Sequence, residues 1–163
     1  MSSHPFDILP LDNGAQLIFT PCPGTKQASI EQSISTLKAA GTSTLITLMF
    51  DSEMATNNAQ QLPQVCAAHG IEWLQLPISD DAAPNDAFET PWLANKARLV
   101  EILANKGTIA VHCKGGSGRT GLVIGLLLLA AGWPSERIIE QVQQLRPKAL
   151  KHPVQLDYFN SHR

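Results

Sequence analysis

Cys113, Arg119 and Thr120 lie close together in the stretch Val111-His112-Cys113-Lys114-Gly115-Gly116-Ser117-Gly118-Arg119-Thr120-Gly121. A cysteine attacks as its thiolate, and a thiol at a helix N-terminus beside a cation has its pKa lowered from ~8.5 to about 3.5–7.5. A β-forming run, Thr108 to His112, leads into the glycines, and an apolar run, Leu122 to Ala131, leads out. That order predicts a strand passing through a tight turn into a helix N-terminus, with Cys113 at the start of the turn. The first N–H groups of a helix lack intrahelical partners, and a Gly-rich turn aims further N–H groups at one point, so the stretch is a candidate anion nest. Arg119 adds a planar fork of donors that matches two phosphate oxygens. Nucleophile, amides and guanidinium together describe a pocket for a phosphate monoester. Its binding residues are Lys114, Gly115, Gly116, Ser117, Gly118 and Arg119.

Other readings of the same residues fail on spacing. Gly116-x-Gly118-x-x-Gly121 fits a dinucleotide fingerprint, which requires a second strand ending in an acidic residue about 20 positions on. Ser135 to Leu145 occupies that region and reads as a helix. The nucleoside-triphosphate loop needs Lys before Ser/Thr after its glycines, and that order is absent. Cys22, Cys66 and Cys113 stand apart from one another, without the paired spacing of a zinc site. A merely structural Cys113 leaves Arg119 and the surrounding glycines unexplained.

His112-Cys113-x5-Arg119-Thr120 resembles the H-C-x5-R-[ST] signature loop of the cysteine-dependent protein phosphatases. Pro23-Gly24, the run Thr44 to Phe50, Pro77-Ile78-x-Asp80, the signature loop and Arg146 through Gln155-x-x-Tyr158 follow the order of the kinase-associated branch of the dual-specificity phosphatases. The resemblance implies a protein-tyrosine-phosphatase-like fold and hydrolysis of phosphomonoesters, in first place on protein tyrosine or with dual specificity. A phosphoinositide or small-molecule phosphatase, or an idle phospho-binding module, is the alternative. It further implies a general acid on a loop after an upstream strand, here Asp80 with Asp81 as the second candidate, and no metal or cofactor. The acid role calls for surroundings that raise the Asp80 pKa. Thr120 is expected to donate to the Cys113 sulfur or to cap the helix. His112 is expected to fix the loop, with a core role as rival, and Lys114 to attract anions at the mouth or to be simply solvated. Gln155 is a candidate for placing the hydrolytic water, against an exposed helix glutamine. Two departures bear on substrate: no aromatic recognition loop is evident, and the signature loop carries one Lys where phosphoinositide phosphatases carry two.

The elements that must hold these groups alternate. Strands are predicted at Gln16–Thr20, Thr44–Phe50, Ile71–Leu76 and Thr108–His112. A helix capped by Ser29 and Gln32 carries Ile30, Ile34 and Leu37 and stops at Gly41. A short helix spans Leu62 to His69, with Cys66 in the core and His69 near the last carbonyls. Another opens at Thr90-Pro91 with Leu93, Ala97, Val100 and Ala104 on its apolar face. A buried helix runs from Thr120 to Ala131, an amphipathic one from Ser135 to Leu145, and a last from Pro153. Residues 1–15 are expected to be irregular and Asp51 to Gln60 a loop, with Asp51 and Glu53 solvated. Cys22 is expected to be structural or exposed. The pattern is that of a single α/β domain over 1–163, a central, mainly parallel sheet flanked by helices.

Composition agrees with this class. Of 163 residues 44% are apolar and 16% charged, against roughly 25% charged in an average protein. The net charge of −2 gives no electrostatic reason to expect a nucleic-acid partner. Leu122 to Ala131 is too short for a membrane span, which needs about 20 residues. The first residues show neither the basic nor the apolar part of a secretory signal, and a working thiolate suits a reducing compartment, so a cytoplasmic location is expected.

Overall fold

The computed structural model describes residues 4–163. The elements run β1 (Asp7–Pro10), β2 (Gln16–Thr20), α1 (Ile30–Ala39), β3 (Thr44–Thr47), α2 (Asp51–Thr56), α3 (Leu62–Ala68), β4 (Glu72–Gln75), α4 (Asp86–Ala104), β5 (Thr108–His112), α5 (Gly118–Ala130), α6 (Ser135–Leu145) and α7 (Pro153–Asn160). Five strands form one sheet in the order β1-β2-β5-β3-β4. β2, β5, β3 and β4 are parallel, and β1 is antiparallel to β2 at the edge. The expected α/β sheet with helices on both faces is what the chain builds.

Alternation along the strands sorts two apolar layers, because successive side chains of a strand point to opposite faces. Leu17, Phe19, Ile46, Ile109 and Val111 face the layer that holds Leu99, Leu103, Val142 and Phe159 of α4, α6 and α7. Ile18, Leu45 and Ala110 face the other, with Ile34 and Leu37 of α1 and Leu62 and Cys66 of α3. β5 lies in the middle of the sheet, buried along its whole length, so the loop at its carboxyl end has a rigid base. α5 is covered on nearly every side, which explains its unbroken apolar run from Leu122 to Leu128.

Several boundaries differ from expectation. Within the lead-in, residues 7–10 pair with β2 as an edge strand; Leu9 is buried, and Asp7 forms an ion pair with Arg146. Asp51–Thr56 is a helical segment, not a loop, with Asp51 and Glu53 in its first turn, where the dipole favours carboxylates. α4 starts at Asp86, capped by Asn85, and encloses Pro91. Its buried face is Phe88, Trp92, Leu99 and Leu103, while Leu93 is 70% exposed and Ala97 and Ala104 face solvent. The aromatic pair, stacked at 5.8 Å between centroids, turns the helix away from the weaker aliphatic stripe. Cys22 is buried, and His69 Nε2 meets Glu31 Oε1 at 2.5 Å rather than a helix-end carbonyl.

Candidate active site

The loop from Cys113 to Ser117 joins β5 to α5, and its carbonyls are tied outward. Lys114 O accepts from Cys22 N–H at 3.0 Å, Gly116 O accepts from Arg146 Nε at 3.0 Å, and Cys113 O meets His112 Nδ1 at 3.0 Å. In a trans peptide the N–H points opposite to the C=O, so the amides of residues 114, 115 and 117 are turned to the concave side. Gly116 has φ +83°, and a Cβ there would sit 2.8 Å from the backbone of Thr20. Only glycine allows the loop to lie this close to the end of β2. Gly116 N–H donates to Cys113 Sγ at 3.3 Å, and the Thr120 hydroxyl donates to the same sulfur at 3.2 Å. Ser117, preceding α5, makes no side-chain cap, which leaves the helix N-terminus open to a ligand.

Arg119 is 2% exposed and is aimed by a residue that sequence reasoning left in solvent. Its Nη1 donates to Glu53 Oε1 at 2.7 Å and to Ile78 O at 3.0 Å, and its Nη2 donates to Glu53 Oε2 at 2.8 Å. Glu53 thus grips the outer end of the fork. Nε is buried and makes no hydrogen bond, with Asp80 Oδ1 3.6 Å away, so its N–H is left to donate to an oxyanion. Burial works against the Arg119 charge, but the Glu53 hydrogen bonds, Cys113 and Asp80 outweigh it and hold the guanidinium above its ordinary pKa. The signal in the sequence was an acidic residue just past a strand end, the edge where α/β proteins place ligands.

Behind Cys113 runs a fixed chain of hydrogen bonds. Trp73 Nε1 donates to Thr47 Oγ1 at 2.7 Å, and Thr47 Oγ1 lies 2.7 Å from His112 Nε2. The Cys113 carbonyl can only accept, so Nδ1 carries the ring hydrogen and donates to it; Nε2 of the neutral ring then accepts from the Thr47 hydroxyl. Burial pushes the His112 pKa down to about 4, so the ring is neutral and serves as a strut. Burial likewise pushes the thiols of Cys22 and Cys66 up to about 12.

The pocket above the sulfur has a volume of about 540 Å³ and is lined by Cys113, Lys114, Gly115, Ser117, Gly118 and Arg119, together with Asp80, Asp81 and Gln155. Asp80 is 69% exposed, with Oδ1 3.6 Å from Arg119 Nε. Asp81 adopts φ +58° and turns to His152 Nε2 at 3.9 Å. Gln155 is buried, not on the helix surface, and its amide approaches Gly118. Lys114 stands exposed at the rim. Among the described residues, no three His, Cys, Asp or Glu side chains are grouped to hold a metal. No helix among them is long and apolar enough to cross a membrane.

A cysteine under an amide-lined, arginine-gripped cavity at the carboxyl edge of a mainly parallel sheet defines the cysteine-phosphatase class of site. The chain belongs to the family described as Swiss Army Knife protein, DSP-PTPase phosphatase domain, whose model matches residues 23–154. Among curated proteins it is 33% identical over 95 residues to human protein tyrosine phosphatase type IVA 3, covering 58% of this chain and 53% of that relative. It is 23% identical over 107 residues to a type IVA A protein tyrosine phosphatase of Dictyostelium discoideum, covering 60% of this chain and 64% of the relative. The matched stretch thus falls short of two thirds of these relatives' length. Among solved structures, kinase associated phosphatase with its catalytic-site cysteine replaced by serine superposes with TM-score 0.86 at 22% identity, covering 100% of this chain and 96% of that one. The active form of Tk-PTP gives TM-score 0.67 at 23% identity, covering 90% of each chain. At these identities the superpositions establish the fold.

Proposed function

We propose that this protein hydrolyses phosphomonoesters through a cysteinyl-phosphate intermediate. The observation that carries the reading is the convergence of Cys113 Sγ, held by Gly116 N–H and the Thr120 hydroxyl, with a buried Arg119 whose Nε makes no hydrogen bond. In the first step the Cys113 thiolate attacks phosphorus, an S–P bond forms, the P–O ester bond breaks and Asp80 gives its proton to the leaving oxygen. In the second, water attacks phosphorus, its proton passes to Asp80, the S–P bond breaks and the thiolate is restored. Thr120 stabilises that departing sulfur by its hydrogen bond. Charge on the equatorial oxygens of the loose transition state is met by the loop amides and Arg119. Asp80 is the better acid candidate by position, since its carboxyl lines the pocket while Asp81 turns to His152; an exposed carboxyl beside a cation is not the desolvated setting that the acid role called for. The burial of Gln155 in the pocket wall supports a role in holding the attacking water. A reducing, cytoplasmic setting belongs to the same proposal.

The names of the curated relatives support a phosphorylated tyrosine side chain as one substrate class. The chemistry of the pocket wall favours another. The test of the reaction is phosphate release from p-nitrophenyl phosphate and from an alkyl phosphate without added metal. Cys113→Ser should abolish turnover of both while vanadate binding persists. Asp80→Asn should cost roughly 10²–10⁴-fold on the alkyl ester, whose leaving oxygen needs the proton most, and far less on the activated ester. Residual wild-type rates in Cys113→Ser would refute the covalent scheme, and a silent Asp80→Asn with an inactive Asp81→Asn would transfer the acid role to Asp81.

A further inference from the structure

Three lysines that are far apart in sequence meet at the mouth of the active-site pocket. Lys26 comes from the loop between β2 and α1, Lys114 from the signature loop, and Lys148 from the segment between α6 and α7. His152, at the start of α7, lines the same mouth. All three lysines are exposed, and among the described residues none has an ion-pair partner. Arg98, Arg137 and Arg146, outside the pocket, are each matched to a carboxylate. With Arg119, the lining carries four cationic side chains against the two carboxylates Asp80 and Asp81, in a chain whose net charge is −2. Arg119 is already neutralised by Glu53 and committed to the scissile phosphate. The three ammonium groups are therefore in excess of what one phosphate monoester requires.

The walls carry a second message. Among the described residues, no Phe, Tyr, Trp, Leu, Ile, Val or Met lines this cavity. A phosphotyrosine ring is recognised through its apolar area, and here that area would meet lysine stems, the Thr25 side chain and the His152 ring, with no large apolar side chain to pack on. A hydroxylated carbon frame loses nothing in such surroundings. The volume of about 540 Å³ lies within the ~300–1,000 Å³ range of small-ligand sites. The cations ring the same cavity that holds Cys113, so a second anion would lie within the breadth of one small molecule from the phosphorus under attack.

We propose that the mouth formed by Lys26, Lys114 and Lys148 seats a second phosphate, and that the substrate is a polyol carrying at least two phosphate groups, free or as a lipid headgroup. The proposal rests on the phosphomonoesterase reading for its chemistry, but the subsite itself is a matter of binding and can be tested apart from turnover.

The experiment is calorimetric titration of the full-length Cys113→Ser protein with inositol 1-phosphate, a soluble inositol trisphosphate, a micellar lipid bearing the same trisphosphate headgroup, and a singly phosphorylated tyrosine peptide. The trisphosphate should bind at least about tenfold more tightly than the monophosphate, since each added phosphate gains charge-assisted hydrogen bonds. In the background of Lys26→Gln with Lys148→Gln that advantage should shrink to about twofold, and raising the salt should erode it in the parent protein. Equal affinity for the two soluble compounds, an advantage untouched by the double substitution, or tighter binding of the peptide would each overturn the proposal. Equal binding of the soluble and lipid forms supports a free or headgroup polyol, and stronger lipid binding supports the membrane source of the same headgroup. If the advantage is found but the wild-type protein releases no phosphate from p-nitrophenyl phosphate, the subsite stands and the catalytic reading falls.

Discussion

Glu53→Gln is the substitution that tests how the arginine is aimed. Glu53 accepts two hydrogen bonds from Arg119, at 2.7 and 2.8 Å, and the side chains of the pair are 1% and 24% exposed for Arg119 and Glu53. Gln keeps the length of the side chain but replaces one acceptor oxygen with an NH₂ group that faces a donor. One charge-assisted hydrogen bond is lost and a donor–donor conflict is created, while the Ile78 carbonyl still holds Nη1 at 3.0 Å. A hydrogen bond to a charged group contributes about 1.5–3 kcal/mol, and the arginine that loses it no longer holds its Nε side at the phosphate. If that loss is felt in the transition state, kcat/KM should fall by roughly 10- to 150-fold. Thermal unfolding should report a destabilisation of similar size, because a buried guanidinium loses part of its compensation. The assay is steady-state hydrolysis of p-nitrophenyl phosphate with vanadate inhibition alongside. Vanadate affinity should fall in parallel, since the same fork grips it. A kcat/KM within twofold of wild type would refute the claim that Glu53 positions Arg119.

Gly116→Ala should destabilise the fold by about 1–3 kcal/mol and weaken vanadate binding, because its Cβ would collide with backbone atoms of Thr20 and Pro21 at a φ of +83°; an unchanged melt and affinity would contradict the close-approach argument. The pH dependence of stability follows from His112, whose pKa is pushed by burial from 6.5 to about 4. The unfolded chain takes up this proton first, so the contribution is complete above pH 6.5 and is lost as pH falls from 6.5 to about 4, reaching about 3 kcal/mol. His4, pushed to about 4 by its own burial, acts in the same direction. Urea midpoints of wild type and His112→Gln across that window should converge at low pH, and parallel curves would exclude a role for His112.

The loop from Cys113 to Arg119 was legible in the chain because its pattern is local. A strand, a Gly-rich turn and a helix N-terminus are consecutive in sequence, so the order Cys113, Gly116, Arg119, Thr120 already specifies an anion site. The alternation of strands and helices was legible for a similar reason, since period and turn residues act over a few positions. Misreadings came where tertiary packing overrode a local pattern. The aliphatic stripe of α4 lost to the stacked Phe88 and Trp92, and the edge strand Asp7–Pro10 exists because β2 offers it a ladder and Arg146 a charge. Within the site, Gln155 looked like a surface residue until α7 folded back against Gly118.

The sequence by itself determined the family signature, the parallel α/β architecture and which cysteine stands at the anion nest, for those depend on residues that are neighbours along the chain. Only the tertiary structure decided which acidic residue grips Arg119, that Thr47 and Trp73 stand behind the His112 ring, and that Lys26 and Lys148 stand beside Lys114. Glu53 and Arg119 are joined because β3 and β5 are adjacent parallel strands, whose following segments leave the same edge of the sheet. The lysines meet because three loops converge on that edge, a juxtaposition that spacing along the chain does not encode.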